Sequence, residues 1–196
     1  KQSGVQIHHK SKLTPGVEIM PSWWLLKPFE RFAIDLGGTT GTLGREENSV
    51  AFFSNKNEPV SPIICYESVY GEFVANSVKL GSGLIFVITN DGWWGNTPGY
   101  KQHLMFSVLR SIETRRSVAR AANTGVSAFI NQRGDIIDQT DYWVPAVIKA
   151  TLNANYKMTY YTINGDYIAI GATFISSLLI LISFTQGFLR KRKSLV

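Results

Sequence analysis

Residues 61–89, SPIICYESVYGEFVANSVKLGSGLIFVIT, read as strand, helix, strand. Residues 61–66 are a short apolar run, Val69 to Leu80 carries a helical pattern stopped by Gly81, and Leu84 to Thr89 is a second continuous apolar run of strand length. That succession is the pattern of an α/β layer, a class that places its sites in loops at the carboxyl ends of its strands. Two features follow such ends: Cys65, directly after the first strand, and the Gly-, Pro- and Asn-rich loop NDGWWGNTPGY from Asn90 to Tyr100. They are expected to share one rim.

Cys65 is the only cysteine in the chain, so it forms no disulfide within it. Its remaining uses are packing as a small buried hydrophobe, metal binding or nucleophilic chemistry. Metal binding lacks companions: His8 and His9 are adjacent, so on a strand they point to opposite faces, and no third ligand of suitable spacing joins them or His103. No metal and no cofactor are expected.

Further along, a long helix is expected from about Gln102 to Ala122, with Leu104, Val108, Ile112, Val118 and Ala122 as its apolar face. The spacings of Glu113 with Arg116 and of Arg116 with Arg120 suit a solvated face. Val126 to Asn131 and Asp135 to Asp138 flank Gln132-Arg133-Gly134, a hairpin signal, and the Arg-Gly-Asp triplet there is turn chemistry rather than an adhesion motif. Ala146 to Leu152 is expected as a last strand, and Asn153 to Asp166 as a linker.

Tyr167 to Phe188 is a run of 22 residues without a charge. As a helix it extends about 33 Å, against a hydrocarbon layer of about 30 Å. Arg190-Lys191-Arg192-Lys193 follows directly and marks a cytoplasmic end. The expected placement is the inner membrane, with the globular part periplasmic and the C-terminus inside. The formal net charge of +6 falls to +2 when those four tail charges are set aside, which leaves no basic surplus for nucleic acid. With 196 residues, 17% charged and 44% apolar, the chain suits one core plus an apolar segment. Because it begins at Lys1, with no signal peptide and no earlier hydrophobic segment, it reads as the C-terminal part of something longer. The expected division is 1–160 globular, 161–189 linker and membrane helix, and 190–196 basic tail.

A cysteine nucleophile needs a group to ionise it and donors to hold the oxyanion it creates. His9-Lys10-Ser11-Lys12-Leu13-Thr14-Pro15-Gly16-Val17-Glu18 supplies a lysine and, after a Pro-Gly turn, a carboxylate. Lys, then Pro-Gly-x-Glu, then Cys65-Tyr66-Glu67, then Asn-Asp-Gly-Trp-Trp is a specific order. In that order the sequence resembles the nitrilase, or carbon–nitrogen hydrolase, superfamily, and within it the apolipoprotein N-acyltransferase family. Lys10 to Glu18 match the family's K-x-H-L-x-P-x-G-E motif, Cys65 to Glu67 its nucleophile motif, and NDGWWG its following loop. Ser111 to Ser127, SIETRRSVARAANTGVS, is similar to its next helix and strand, so the resemblance covers about 160 residues. Lys12 stands where the family usually has histidine, and the turn reads TPGVE rather than PFGE, which bears on the geometry around Lys10.

The resemblance implies the C-terminal part of a four-layer α-β-β-α sandwich followed by one membrane helix. It implies Cys65 as the nucleophile that takes an acyl chain as a thioester, and Lys10 with the backbone N–H of Tyr66 as oxyanion donors. Glu18 and Glu67 match supporting acidic positions. The family's general base, a glutamate, has no counterpart here and would lie upstream of Lys1. The implied partners are a phospholipid donor, a lipoprotein acceptor and the membrane, with no nucleic acid. Candidate substrate contacts are Asn90, Asp91, Trp93 and Trp94 in the loop, and Trp23 and Trp24 in the aromatic stretch between Ile19 and Gly44; core packing is the alternative for these rings. The rival readings are an amidase or nitrilase that releases ammonia, and a non-catalytic membrane-tethered remnant.

Overall fold

Two of the three parallel strands at the centre of the sheet are the apolar runs that the sequence singles out. The computed structural model describes residues 5–15, 18, 46–54, 56 and 58–193. Its strands are β1 (Phe52–Phe53), β2 (Pro59–Ile64), β3 (Leu84–Thr89), β4 (Ser117–Ala122), β5 (Ala128–Ile130) and β6 (Ile136–Gln139). They form one sheet in chain order. The pairs β2–β3 and β3–β4 are parallel, and the others antiparallel. The crossovers are α1 (Gly71–Lys79), between β2 and β3, and α2 (Pro98–Thr114), between β3 and β4. The aromatic stretch with Trp23 and Trp24 lies outside the described residues.

Period-two alternation sorts each strand's side chains between the two faces of the sheet. The registers Ile63↔Val87↔Arg120 and Ile85↔Val118 put these residues on one face. There Ile63, Ile85, Val87 and Val118 pack with Phe73, Val74 and Val78 of α1 and Tyr100 and Leu104 of α2. Each such fully buried aliphatic side chain contributes about 1.5–3 kcal/mol. On the opposite face Phe86 and Ile88 are exposed.

The first strand is shorter at its end than expected. Cys65 and Tyr66 leave β2 for a 3-10 turn, Cys65–Val69, before α1 begins. The single long helix expected over Gln102–Ala122 is a helix and a strand. α2 starts early because Thr97 caps it, its hydroxyl accepting from Gly99 N at 3.3 Å, and Pro98 occupies the first turn. It ends at Arg115, which adopts a left-handed φ of 53°. Ser117 to Ala122 then runs as β4 between β3 and β5. The solvated face expected for Arg116 and Arg120 is likewise overturned, since both are buried. Arg116 spends its guanidinium on three carbonyls, those of Ser82, Thr114 and Lys157, at 2.7–2.9 Å.

The hairpin is present. Asn131 N donates to Asp135 O at 2.9 Å, and Gly134 takes the positive φ of 92° that the turn requires. Ala146 to Leu152 forms no strand. The chain beyond it is held by side chains instead: Ser117 Oγ and Gln132 Nε2 both donate to Asn153 O, at 2.9 and 3.0 Å. Thr159 Oγ1 donates to Glu113 O at 2.6 Å just before the short helix α3 (Tyr160–Asn164).

The chain divides into two units, Lys1–Ile163 and Asn164–Val196. The second contains α4 (Tyr167–Lys193), whose Tyr167–Gly187 stretch is the one helix among the described residues long and apolar enough to cross a membrane. Two of its hydroxyls are satisfied within the helix: Ser177 Oγ donates to Thr173 O and Thr185 Oγ1 to Ile182 O, both at 2.8 Å. That lowers the cost of polar groups in an apolar span.

Arg116→Met would leave three carbonyls without their donor, those of Ser82 and Thr114 in buried bonds and that of Lys157 in a part-buried one. The expected loss is roughly 3 kcal/mol of stability, read as a lowered midpoint of urea unfolding for the intact protein. An unchanged midpoint would show that the guanidinium contributes nothing net.

Candidate active site

Cys65 has φ 51°, a left-handed conformation that costs a non-glycine residue on the order of 1–2 kcal/mol. The chain turns sharply here, from the end of β2 into the 3-10 turn, and leaves the cysteine half-buried. Glu67, two residues on, secures the outgoing chain. Its carboxylate is fully buried and accepts from Ile64 N at 2.7 Å, which closes the turn back onto the strand.

The same carboxylate accepts from Ser11 N at 2.5 Å and lies 3.2 Å from His8 Nε2. His8 Nδ1 in turn pairs with Glu46 at 2.8 Å, and Glu46 also accepts from His9 N at 3.1 Å. One buried carboxylate therefore ties the lysine-bearing segment to the cysteine turn, through groups 59, 56 and 3 residues away in sequence. Lys10 immediately precedes the tethered Ser11. Its ammonium pairs with Glu18 at 2.5 Å, and Thr14 N donates to the same Glu18 oxygen at 2.7 Å. Burial works to raise the Glu18 carboxyl, but the Lys10 and Thr14 contacts outweigh it and hold it below the ordinary carboxylate range. Lys12, at the position where a histidine was expected, lies over the rings of Tyr70 and Phe73, 5.6 Å from each centroid.

On its other side the turn rests on a buried polar network. The Cys65 carbonyl accepts from Ser68 Oγ at 2.8 Å and lies 3.1 Å from His103 Nε2. His103 Nδ1 meets Asp91 Oδ1 at 2.7 Å, and the other Asp91 oxygen takes Arg120 Nη2 at 2.7 Å. Thr89 Oγ1 adds a hydrogen bond to Asp91 at 2.9 Å, and Arg120 also donates to Ser107 Oγ at 3.0 Å. Burial raises the Asp91 carboxyl, but the His103 hydrogen bond and the Arg120 charge overcome it, so the group lies below its ordinary range. A methyl group at Gly125 would collide with this carboxylate, so the loop after β4 closes over it.

The expected rim is thus populated unevenly. Glu67 joins Ile64 and Ser11, the neighbours of Cys65 and Lys10, Lys10 pairs separately with Glu18, and Tyr66 packs edge-on against Tyr70 at 5.6 Å. Trp93 and Trp94 are partly exposed in a 3-10 turn, Gly92–Trp94. Asn90 Oδ1 accepts from Thr124 Oγ1 at 2.7 Å and Gly92 N at 3.1 Å, while Asp91 is wholly internal with both oxygens engaged. Among the described residues no group of three potential metal ligands occurs. The sequence reading weighed His103 only as a metal ligand. The available signal was polar spacing on α2: His103, Ser107, Arg110, Ser111 and Thr114 are all buried, whereas Ile112, expected on the apolar face, is exposed.

Glu67→Gln replaces an acceptor-only carboxylate with an amide whose nitrogen cannot accept from Ser11 or Ile64. We expect faster backbone hydrogen exchange at residues 8–12, by about tenfold or more, with the strand core unchanged. Equal exchange in both proteins would refute the tether.

The chain is similar to several known proteins. Apolipoprotein N-acyltransferases of Chlorobaculum tepidum and Nitrosomonas europaea are 34% and 31% identical to it, over 91% and 97% of this chain. The chain spans about a third of the length of these curated relatives, 34% and 37%. Saccharomyces cerevisiae Nit3, of the nitrilase superfamily, superposes with a TM-score of 0.45 at 16% identity over 53% of this chain and 41% of its own. An amidase from Nesterenkonia sp. gives 0.42 at 19% identity, again over 53% and 41%. The carbon–nitrogen hydrolase family model matches residues 1–160, and the chain belongs to that family.

Proposed function

We propose that this chain carries the nucleophile and oxyanion-binding half of an apolipoprotein N-acyltransferase. The observation that carries the reading is the left-handed Cys65, tied through Glu67 to the segment bearing Lys10. The relatives' names and the apolar helix α4 support it further.

In the first half-reaction the Cys65 sulfur attacks the ester carbonyl of a phospholipid. The thiol gives up its proton, a carbon–sulfur bond forms, and the carbonyl electron pair moves to oxygen. Collapse expels the lysophospholipid oxygen, which leaves as the alcohol carrying that proton. In the second, the α-amine of a lipoprotein's lipidated N-terminal cysteine attacks the thioester, forms the amide and returns a proton to sulfur. No cofactor enters the balance. Lys10 and the Tyr66 N–H bear the developing oxyanion in each half, Glu18 orients Lys10, and Trp93 and Trp94 contact the lipid substrates. The acceptor amine must reach a thioester that water does not, which suits a site beside a bilayer.

Cys65→Ser in the intact protein is expected to abolish a hydroxylamine-sensitive acyl adduct formed from labelled phospholipid. Persistence of that adduct would falsify the assignment. Ammonia release from simple amides, without transfer to a lipopeptide amine, would favour the amidase reading instead.

The basic residues Arg190 to Lys193 support an orientation with the C-terminal end of α4 on the cytoplasmic side and the sheet on the periplasmic side. A fluorescent protein that matures only in the cytoplasm, fused after Val196, should therefore fluoresce; a dark fusion at normal abundance would reverse the orientation.

A further inference from the structure

Cys65 O and Tyr66 N–H belong to one planar trans peptide, so they point to opposite sides of the backbone. Whatever grips the carbonyl therefore aims the N–H. The grip is internal: Ser68 Oγ donates to Cys65 O at 2.8 Å, and His103 Nε2 lies 3.1 Å from it. Ser68 and His103 are both buried. His103 cannot swing away, because Nδ1 is held at 2.7 Å by Asp91, whose second oxygen is locked by Arg120.

We propose that His103 is a positioning residue for the oxyanion site: held at Nδ1 by Asp91, it sets Nε2 against the Cys65 carbonyl and so aims the Tyr66 N–H. The inference rests on the acyl-transfer reading of Cys65. Nε2 has Ser68 Oγ at 3.1 Å beside the Cys65 carbonyl, and Nδ1 has Arg120 Nη2 at 3.2 Å beside Asp91, so the ring is held at both nitrogens. A hydrogen bond into a peptide oxygen strengthens the donor on the same peptide, because the two polarise together. The network also holds the left-handed turn at Cys65, so that the N–H is in place before the oxyanion forms. His103 touches neither the substrate nor the sulfur in this scheme.

Acylation and alkylation of the thiol separate this role from a structural one. Attack on an ester builds an oxyanion; displacement on iodoacetamide does not. In the intact protein, His103→Leu should slow the p-nitrophenol burst from a fatty p-nitrophenyl ester by about 10- to 100-fold, while iodoacetamide alkylation of Cys65 stays within about twofold. His103→Gln, whose amide can still donate to Cys65 O, should recover much of the burst. Ser68→Ala, a small change that removes the second donor, should slow the burst several-fold with alkylation again unaffected. It carries the test should the leucine variant fail to fold. A burst unchanged in these variants, or alkylation falling in parallel with acylation, overturns the inference. A protein that shows the burst and its dependence on His103 yet takes no acyl group from phospholipid vesicles overturns the phospholipid donor and leaves the role of His103 standing.

Discussion

The left-handed backbone at Cys65 is held from two sides, and the site is organised by what holds it. On one side the Glu67 carboxylate gathers the amides of Ile64 and Ser11; on the other, Ser68 and His103 engage the Cys65 carbonyl. A strained residue persists only where its surroundings over-determine it. Here the strain turns the thiol out of the strand at the carboxyl end of a parallel sheet, where it is half-buried rather than sealed in the core.

Both supports place charge in the interior of a small domain, where an unpaired ion is prohibitive. Asp91 resolves this with Arg120 on one oxygen and the His103 ring on the other, and Glu67 by accepting from two backbone N–H groups beside the His8 ring. Apolar replacements would pack as well and cost less desolvation. What they cannot supply is direction: a carboxylate bonded to groups 56 and 3 residues away orients the lysine-bearing segment relative to the turn, which van der Waals packing alone does not. Arg116 does comparable work farther from the site, joining the end of α2 to the chain near Lys157 through backbone carbonyls and the Met158 sulfur.

The sequence disclosed most where a side-chain pattern has one physical meaning. Apolar runs of strand length around Cys65, the pattern of α1, the glycine at the hairpin and the uncharged stretch of α4 all correspond to the described elements. It misled over residues 102–122, because Leu104, Val108, Ile112 and Val118 fit a helical period while Arg116 and Arg120 fit a polar face. The break at Arg115 carries no glycine or proline to announce it, and burial of two arginines depends on carbonyls and a carboxylate from distant loops. Ala146 to Leu152 failed for the converse reason: strand propensity is present, but no described strand offers it a ladder.

By itself the sequence determined that a lone cysteine ends an apolar strand, that a lysine and a carboxylate eight positions apart precede it, and that a charge-free helix closes the chain. These follow from residue types at short range, where periodicity and composition act directly. Only the tertiary structure decided that Cys65 is left-handed, that Glu67 binds the lysine segment to it, and that His103 and Asp91 face inward on its carbonyl. The torsion is held by, and the other two consist of, hydrogen bonds that reach segments far apart in sequence, and whether such groups meet is set by the packing of the sheet and helices rather than by any local preference.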